Sequence, residues 1–475
     1  MHRTSRALLA GTLALTMVAA CGDDDDGGDD AADTATTGGD TATTGGDTAT
    51  TGSDTATTAG GAGTTAAPPS GDGVELRWRT RPDNQAEIDV YQQVSDDIAG
   101  RGLGFTLKYE PGGSETASYQ DQLKTEIAAG TAPDVFWIPG TDIADFAGSG
   151  LLYNISDVEG AADFDVSEFY PETMVHLQTD PETGEEAAGD FLWGLPRDVS
   201  TFALYLNLDL ISEAGAEDPR VLAEEDAWTW EAFREVADQV AELGGANKGF
   251  AMNAWWANYG YFMNNAGGGF FNEDRTGCGL DSEGSIAGLQ FLSDLYGTDT
   301  AVPYGEDGEE PWTAGTVGMF INGRWATPGA RANAGFNWDV VSLPAQEEAR
   351  GNWLFWGAYV VNAETEHPEE AWALVQELTT TETQATISEL GANIPSRQSD
   401  EAIDAFVGYT PPENNQAFVD GISSDPVAEG PLWAGSWPDF DTAMNTAVQD
   451  VLTGASTVED FEANACQQVA GAFDG

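Results

Sequence analysis

Residues 125–140, TEIAAGTAPDVFWIPG, leave the backbone few choices. Gly130 suits a left-handed helix cap and Pro133 cannot continue a helix, so the chain must turn there. The apolar run 135–138 is short, β-branched and aromatic, and Pro139 and Gly140 stop it. Such a run predicts a strand buried on both faces. Upstream, residues 74–80 alternate as a strand, and residues 84–99 set Ile88, Tyr91, Val94 and Ile98 on one helical stripe. Residues 105–109 predict a second strand and residues 119–129 a second helix. The order β-α-β-α-β predicts an α/β fold with a mainly parallel sheet flanked by helices. Ligands of such sheets bind at the carboxyl ends of the strands. Arg79, Asp83, Ser114, Trp137 and Asp142 stand at or just past those ends and are candidate contacts. No Gly-x-Gly-x-x-Gly or Gly-x-x-x-x-Gly-Lys loop fills these turns, which argues against a nucleotide fold.

The N-terminus carries a different kind of information. His2, Arg3 and Arg6 precede an apolar run too short to span a bilayer, so residues 1–20 are expected to be a signal peptide. Val18-Ala19-Ala20-Cys21 resembles the lipobox of bacterial lipoproteins, which implies lipidation of Cys21 and cleavage before it. Residues 21–72 have almost no bulky apolar side chain and repeat DTATTGG-like heptads from Asp33, Asp40, Asp47 and Asp54. Nothing there offsets the entropy of ordering, so a disordered tether is expected, reaching on the order of 40 Å. The protein would then sit at the outer face of the cytoplasmic membrane, held by its lipid anchor alone.

With 17 basic and 81 acidic residues, the formal net charge is −64, which argues against nucleic acid and anionic membranes as partners. So acidic a surface fits life in high salt, where screening weakens self-repulsion. The three histidines and three cysteines form no cluster with metal-ligand spacing, so neither metal nor cofactor is expected. Apart from Cys21, only Cys278 and Cys466 remain, and outside the cytoplasm such a pair can oxidise to a disulfide.

Along the folded body, the tracts AAGTAPDVF, GLPRDVSTFALYLN–DLISEAG, WTWEAFREVA, GTVGMFINGRW, HPEEAWALVQELT and TAVQDVLTGASTVEDF occur in order. Together they resemble family-1 extracellular solute-binding proteins, the sugar-binding components of ABC importers, over essentially all of residues 74–473. The resemblance implies a two-lobe, periplasmic-binding-protein-like fold, non-catalytic, closing on its ligand about a hinge. By analogy, residues 73–200 and 357–390 form the first lobe, and residues 201–352 and 394–475 the second. Crossovers fall at residues 197–200, 353–356 and 391–393. A monomer that presents a sugar to permease subunits is implied.

Sugar C–H faces favour flat aromatic rings, and hydroxyls favour planar or bidentate polar partners. Trp next to short polar residues recurs at the crossovers and strand ends: Trp137 with Asp142, Asp198 and Ser200, Trp255 and Trp256, Trp325, and Trp356 with Gly357. By resemblance, Trp137, Trp255 or Trp256, and Trp325 match ligand-contacting aromatics. Arg397 in NIPSR matches a hydroxyl- or carboxylate-binding arginine of some relatives. Two rival readings stay open: a secreted glycoside hydrolase, which also pairs carboxylates with Trp platforms, and a binding protein for a polyamine or glycerol phosphate. A scarcity of basic cleft candidates speaks against a phosphate ester.

Overall fold

The computed structural model describes residues 73–82, 85–113, 116–272, 277–346, 351–389, 391, 393–422, 427–428 and 437–473. Among them are eleven strands: β1 (Val74–Thr80), β2 (Phe105–Pro111), β3 (Val135–Pro139), β4 (Gly194–Ser200), β5 (Phe202–Asn207), β6 (Lys248–Met252), β7 (Val317–Gly323), β8 (Trp338–Val341), β9 (Trp353–Val361), β10 (Ile394–Pro395) and β11 (Val427–Ala428).

Two sheets result. The first runs β10-β4-β9-β3-β1-β2, with β11 also paired to β9; the second runs β6-β7-β5-β8. The predicted β-α-β-α-β start is present, with β1 parallel to both β2 and β3 and helices Gln85–Gly100 and Thr116–Ala128 between them. Both sheets are mixed, because β9 enters the first antiparallel between β3 and β4, and β5 lies antiparallel to β7 and β8 in the second. Val135, Phe136 and Ile138 are fully buried, as expected of a strand covered on both faces. Gly130 takes a φ of 67°, the left-handed cap its position requires.

The chain leaves the first sheet at Ser200, enters the second at Phe202, and returns at Trp353. Residues 394–395, expected with the second lobe, instead pair with β4: Ile394 lies opposite Val199 and Pro395 opposite Asp198. The backbone groups along that edge of β4 are buried and need partners, which this short segment supplies.

Helix Trp230–Ala241 shows how local sequence sets the second sheet. Thr229 caps it by accepting from the Ala232 amide at 3.3 Å. Trp230, Phe233, Val236, Ala237 and Val240 form its buried stripe. Cys278 and Cys466 form a disulfide, Cα to Cα 5.4 Å, fastening the loop before helix Glu283–Tyr296 to helix Val458–Val469.

Candidate functional site

Between the sheets lies a cleft of about 1180 Å³, lined by residues from both and from the segments joining them. On the first-sheet side, β3 delivers Trp137 to its wall, 5% exposed. Pro139 of β3 sits opposite Gly357 of β9, and a side chain at 357 would begin 2.0 Å from Trp137 Nε1. Gly357 therefore clears space for the indole and is itself absent from the lining.

The β4–β9 ladder slips at this point: Pro196 faces Ala358 and Asp198 faces Gly357, leaving Arg197 as the extra residue of a bulge. Bulges re-aim side chains. Here the guanidinium carbon of Arg197 lies 4.6 Å from the Trp137 ring centroid, and that of Arg81 5.1 Å from the same ring. Asp198 accepts from Arg197 Nε at 2.8 Å, while Nη1 has no acceptor among the described residues. Asp142 accepts from the Gln120 amide. Burial, offset in part by that hydrogen bond, pushes the Asp142 carboxyl up to about 6. Trp356 packs against His176 at 5.5 Å. The indole Nε1 atoms of Trp137 and Trp356 are buried against Gly357 and Gly140 and have no acceptor among the described residues.

The second-sheet side is aromatic. Phe355 centres a cluster with Trp255 at 5.2 Å and Trp325 at 5.3 Å, both of them part-exposed to the cleft. Trp256 opens helix Trp256–Asn265 and also lines the cleft, although it is only 1% exposed. Its indole donates to Asp441, and its amide donates to Asn445 Oδ1 at 2.9 Å. Asn258 donates to the Asn253 carbonyl at 2.8 Å, and its Oδ1 has no partner among the described residues. Ser200 lines the cleft and accepts from the Arg324 amide at 3.0 Å.

The structure thus brings Trp137, Asp142, Asp198, Ser200, Trp255, Trp256, Trp325 and Trp356 to one cavity. Arg79 and Arg397 lie outside its lining. Arg79 pairs with Glu126 at 2.7 Å and Glu110 at 3.2 Å. Arg397 pairs with Glu168 and donates to the Thr379 carbonyl. Asp83, Ser114 and Cys21 fall outside the described residues. Sequence reasoning missed Arg81, Arg197, Gln120 and Asp441. Only Arg81 had a usable signal, since β1 ends at Thr80 and the first residues beyond a strand reach the sheet edge.

Among the described residues no group of three or more His, Cys, Asp or Glu could hold a metal ion, and no helix is long and apolar enough to cross a membrane.

The family model described as "Bacterial extracellular solute-binding protein" matches residues 93–409. The chain belongs to that family. Extracellular solute-binding proteins of this kind are not enzymes, and the cleft between the sheets is where the fold leaves room for a solute. The galactooligosaccharide-binding protein of Bacillus subtilis is 26% identical over 367 residues, covering 74% of this chain and 81% of that protein. In structure, an ABC substrate-binding protein from Listeria monocytogenes in complex with cycloalternan superposes with a TM-score of 0.73 at 20% identity, over 84% of this chain and 98% of the other. UgpB of Mycobacterium tuberculosis in complex with glycerophosphocholine gives 0.70 at 15% identity, over 85% and 98%. These superpositions establish the two-lobe fold of periplasmic binding proteins.

Proposed function

We propose that this solute-binding protein captures an oligosaccharide between two lobes, one built on each sheet, and hands it to the permease of an ABC importer. The observation that carries the reading is the division of labour across the cleft. Trp255, Trp325 and Phe355 offer ring faces for sugar C–H surfaces. Across from them Arg197, Asp198 and Asp142 offer polar partners for hydroxyls. The cavity of about 1180 Å³ exceeds the roughly 300–1,000 Å³ of ordinary small-ligand sites, which favours more than one sugar unit. The name of the Bacillus subtilis relative points the same way. A ligand touching both walls stabilises the closed state over the open one, which is the population shift a permease would read. Lipidation at Cys21 would keep the protein beside that permease.

One feature favours a second reading. Arg81 and Arg197 both flank Trp137, in a chain with only 17 basic residues. Two guanidinium groups beside one ring suit a solute carrying a phosphodiester, such as the glycerophosphocholine held by UgpB. Titration calorimetry with di- and trisaccharides and with glycerophosphodiesters separates the two. The sugar reading requires a saturable heat with at least one neutral oligosaccharide; heat only with the phosphodiesters replaces it by the second.

A further inference from the structure

Arg324 follows β7 and lies outside the cleft lining, with its side chain fully buried. No carboxylate among the described residues pairs with it. Its Nη1 donates to Thr327 Oγ1, while its guanidinium carbon lies 4.7 Å from the Phe406 ring centroid and 5.2 Å from that of Phe418. The Nε and Nη2 atoms have no acceptor among the described residues. A guanidinium remains charged in nearly any protein setting, so this is a buried cation with two donors left open. Facing rings offset part of the cost, but they give in-plane N–H groups nothing to bond.

A second cation lies beside it. A side chain at Gly391 would begin 2.6 Å from Arg331 Nη1, 2.9 Å from Arg331 Nη2 and 2.8 Å from Arg324 Nη2. Only a glycine, here at a φ of +72°, lets two guanidinium groups converge on one point of backbone. Arg331 is aimed there by the carbonyls of Tyr409 and Pro411, to which it donates. Burial first, with repulsion from Arg331 behind it, brings Arg324 down to about 9. In a chain with 81 acidic residues, none of the described ones neutralises Arg324.

We propose that Arg324 and Arg331, converging beside Gly391, bind a small inorganic anion of the chloride class. A monatomic anion suits the place better than phosphate. Phe406, Phe418 and Gly391 are buried there, and the hydroxyls beside the guanidinium, Thr327 and Tyr205, already bond each other, so a polyoxyanion would leave oxygens unsatisfied. The site is separate from the cleft chemistry and does not depend on which solute the cleft takes.

Crystals of the protein grown in bromide and recorded at the bromine absorption edge should show an anomalous peak within about 3.5 Å of Arg324 Nη2. In solution at constant ionic strength, exchanging chloride for gluconate should lower the melting temperature, with a saturable return as chloride is restored. Arg324→Met should abolish that anion-specific difference. Absence of the bromide peak, or a chloride effect undiminished in the variant, overturns the proposal. Should Arg324→Met fail to fold, Gly391→Ala serves in its place, because its methyl group forces the two guanidinium groups apart and must weaken the chloride effect.

Discussion

The rings a solute can reach first are Trp255 and Trp325, part-exposed at the cleft, whereas Trp256 and Trp356 are nearly enclosed. Trp325→Ala should weaken solute binding by roughly 1–3 kcal/mol, by analogy with stacking on aromatic platforms, with the melting temperature of the free protein little changed. Calorimetry on the folded variant checks this, and unchanged affinity removes Trp325 from the site. Asp142 gives a pH signature. Its carboxyl is raised from 3.8 to about 6, so the folded state binds more protons than the unfolded one between those values. Stability carried by this group therefore falls as pH rises through that window, and the penalty is complete above about 6. Asp142→Asn should raise the melting temperature relative to wild type at pH 7 and lose that advantage near pH 4. An equal difference at both pH values would show that the carboxyl titrates normally.

At the level of elements, two devices decide what the cleft contains. The β4 bulge aims Arg197 at Trp137, and Gly357 on β9 clears the room that indole needs. Gly357→Ala should collapse this pair, and its loss of affinity should exceed that of a surface Gly→Ala variant. The disulfide is the other element-level constraint, joining residues 188 apart in sequence. Removing such a cross-link typically costs about 2–4 kcal/mol, chiefly by freeing the unfolded chain. Cys278→Ser should lower the denaturation midpoint accordingly. Thiol labelling of denatured, unreduced wild type should find neither Cys278 nor Cys466 reactive.

Across the whole molecule, charge is the dominant fact. A formal net charge of −64 over 475 residues makes self-repulsion a global term that salt screens within about 10 Å at 0.1 M. The ion pairs present, such as Arg77–Glu110 and Lys124–Asp145, use up scarce cations and leave most acids without a partner cation. Raising sodium gluconate from low to molar concentration should therefore raise the melting temperature steeply, and a flat response would refute the high-salt habitat. Because gluconate is the anion there, this effect is distinct from the chloride effect assigned to Arg324.

By itself the sequence determined the features that rest on local pattern. Periodicity and punctuation gave the β-α-β-α-β start, the Gly130 cap and the doubly buried run at residues 135–138. They also placed Trp137 and Asp142 at a strand's end, and the ordered tracts carried the resemblance to the family. Only the tertiary structure decided which charges face the cleft. Arg79 turns to Glu110 and Glu126 while Arg81 reaches Trp137. Arg397 is spent on Glu168, and Asp441 comes from 185 residues away to hold Trp256. The physical reason is the range of the forces involved. Helix and strand preferences are set by neighbours a few residues apart, whereas the partner of a buried charge is whatever packing brings within about 3 Å, and no local pattern records that.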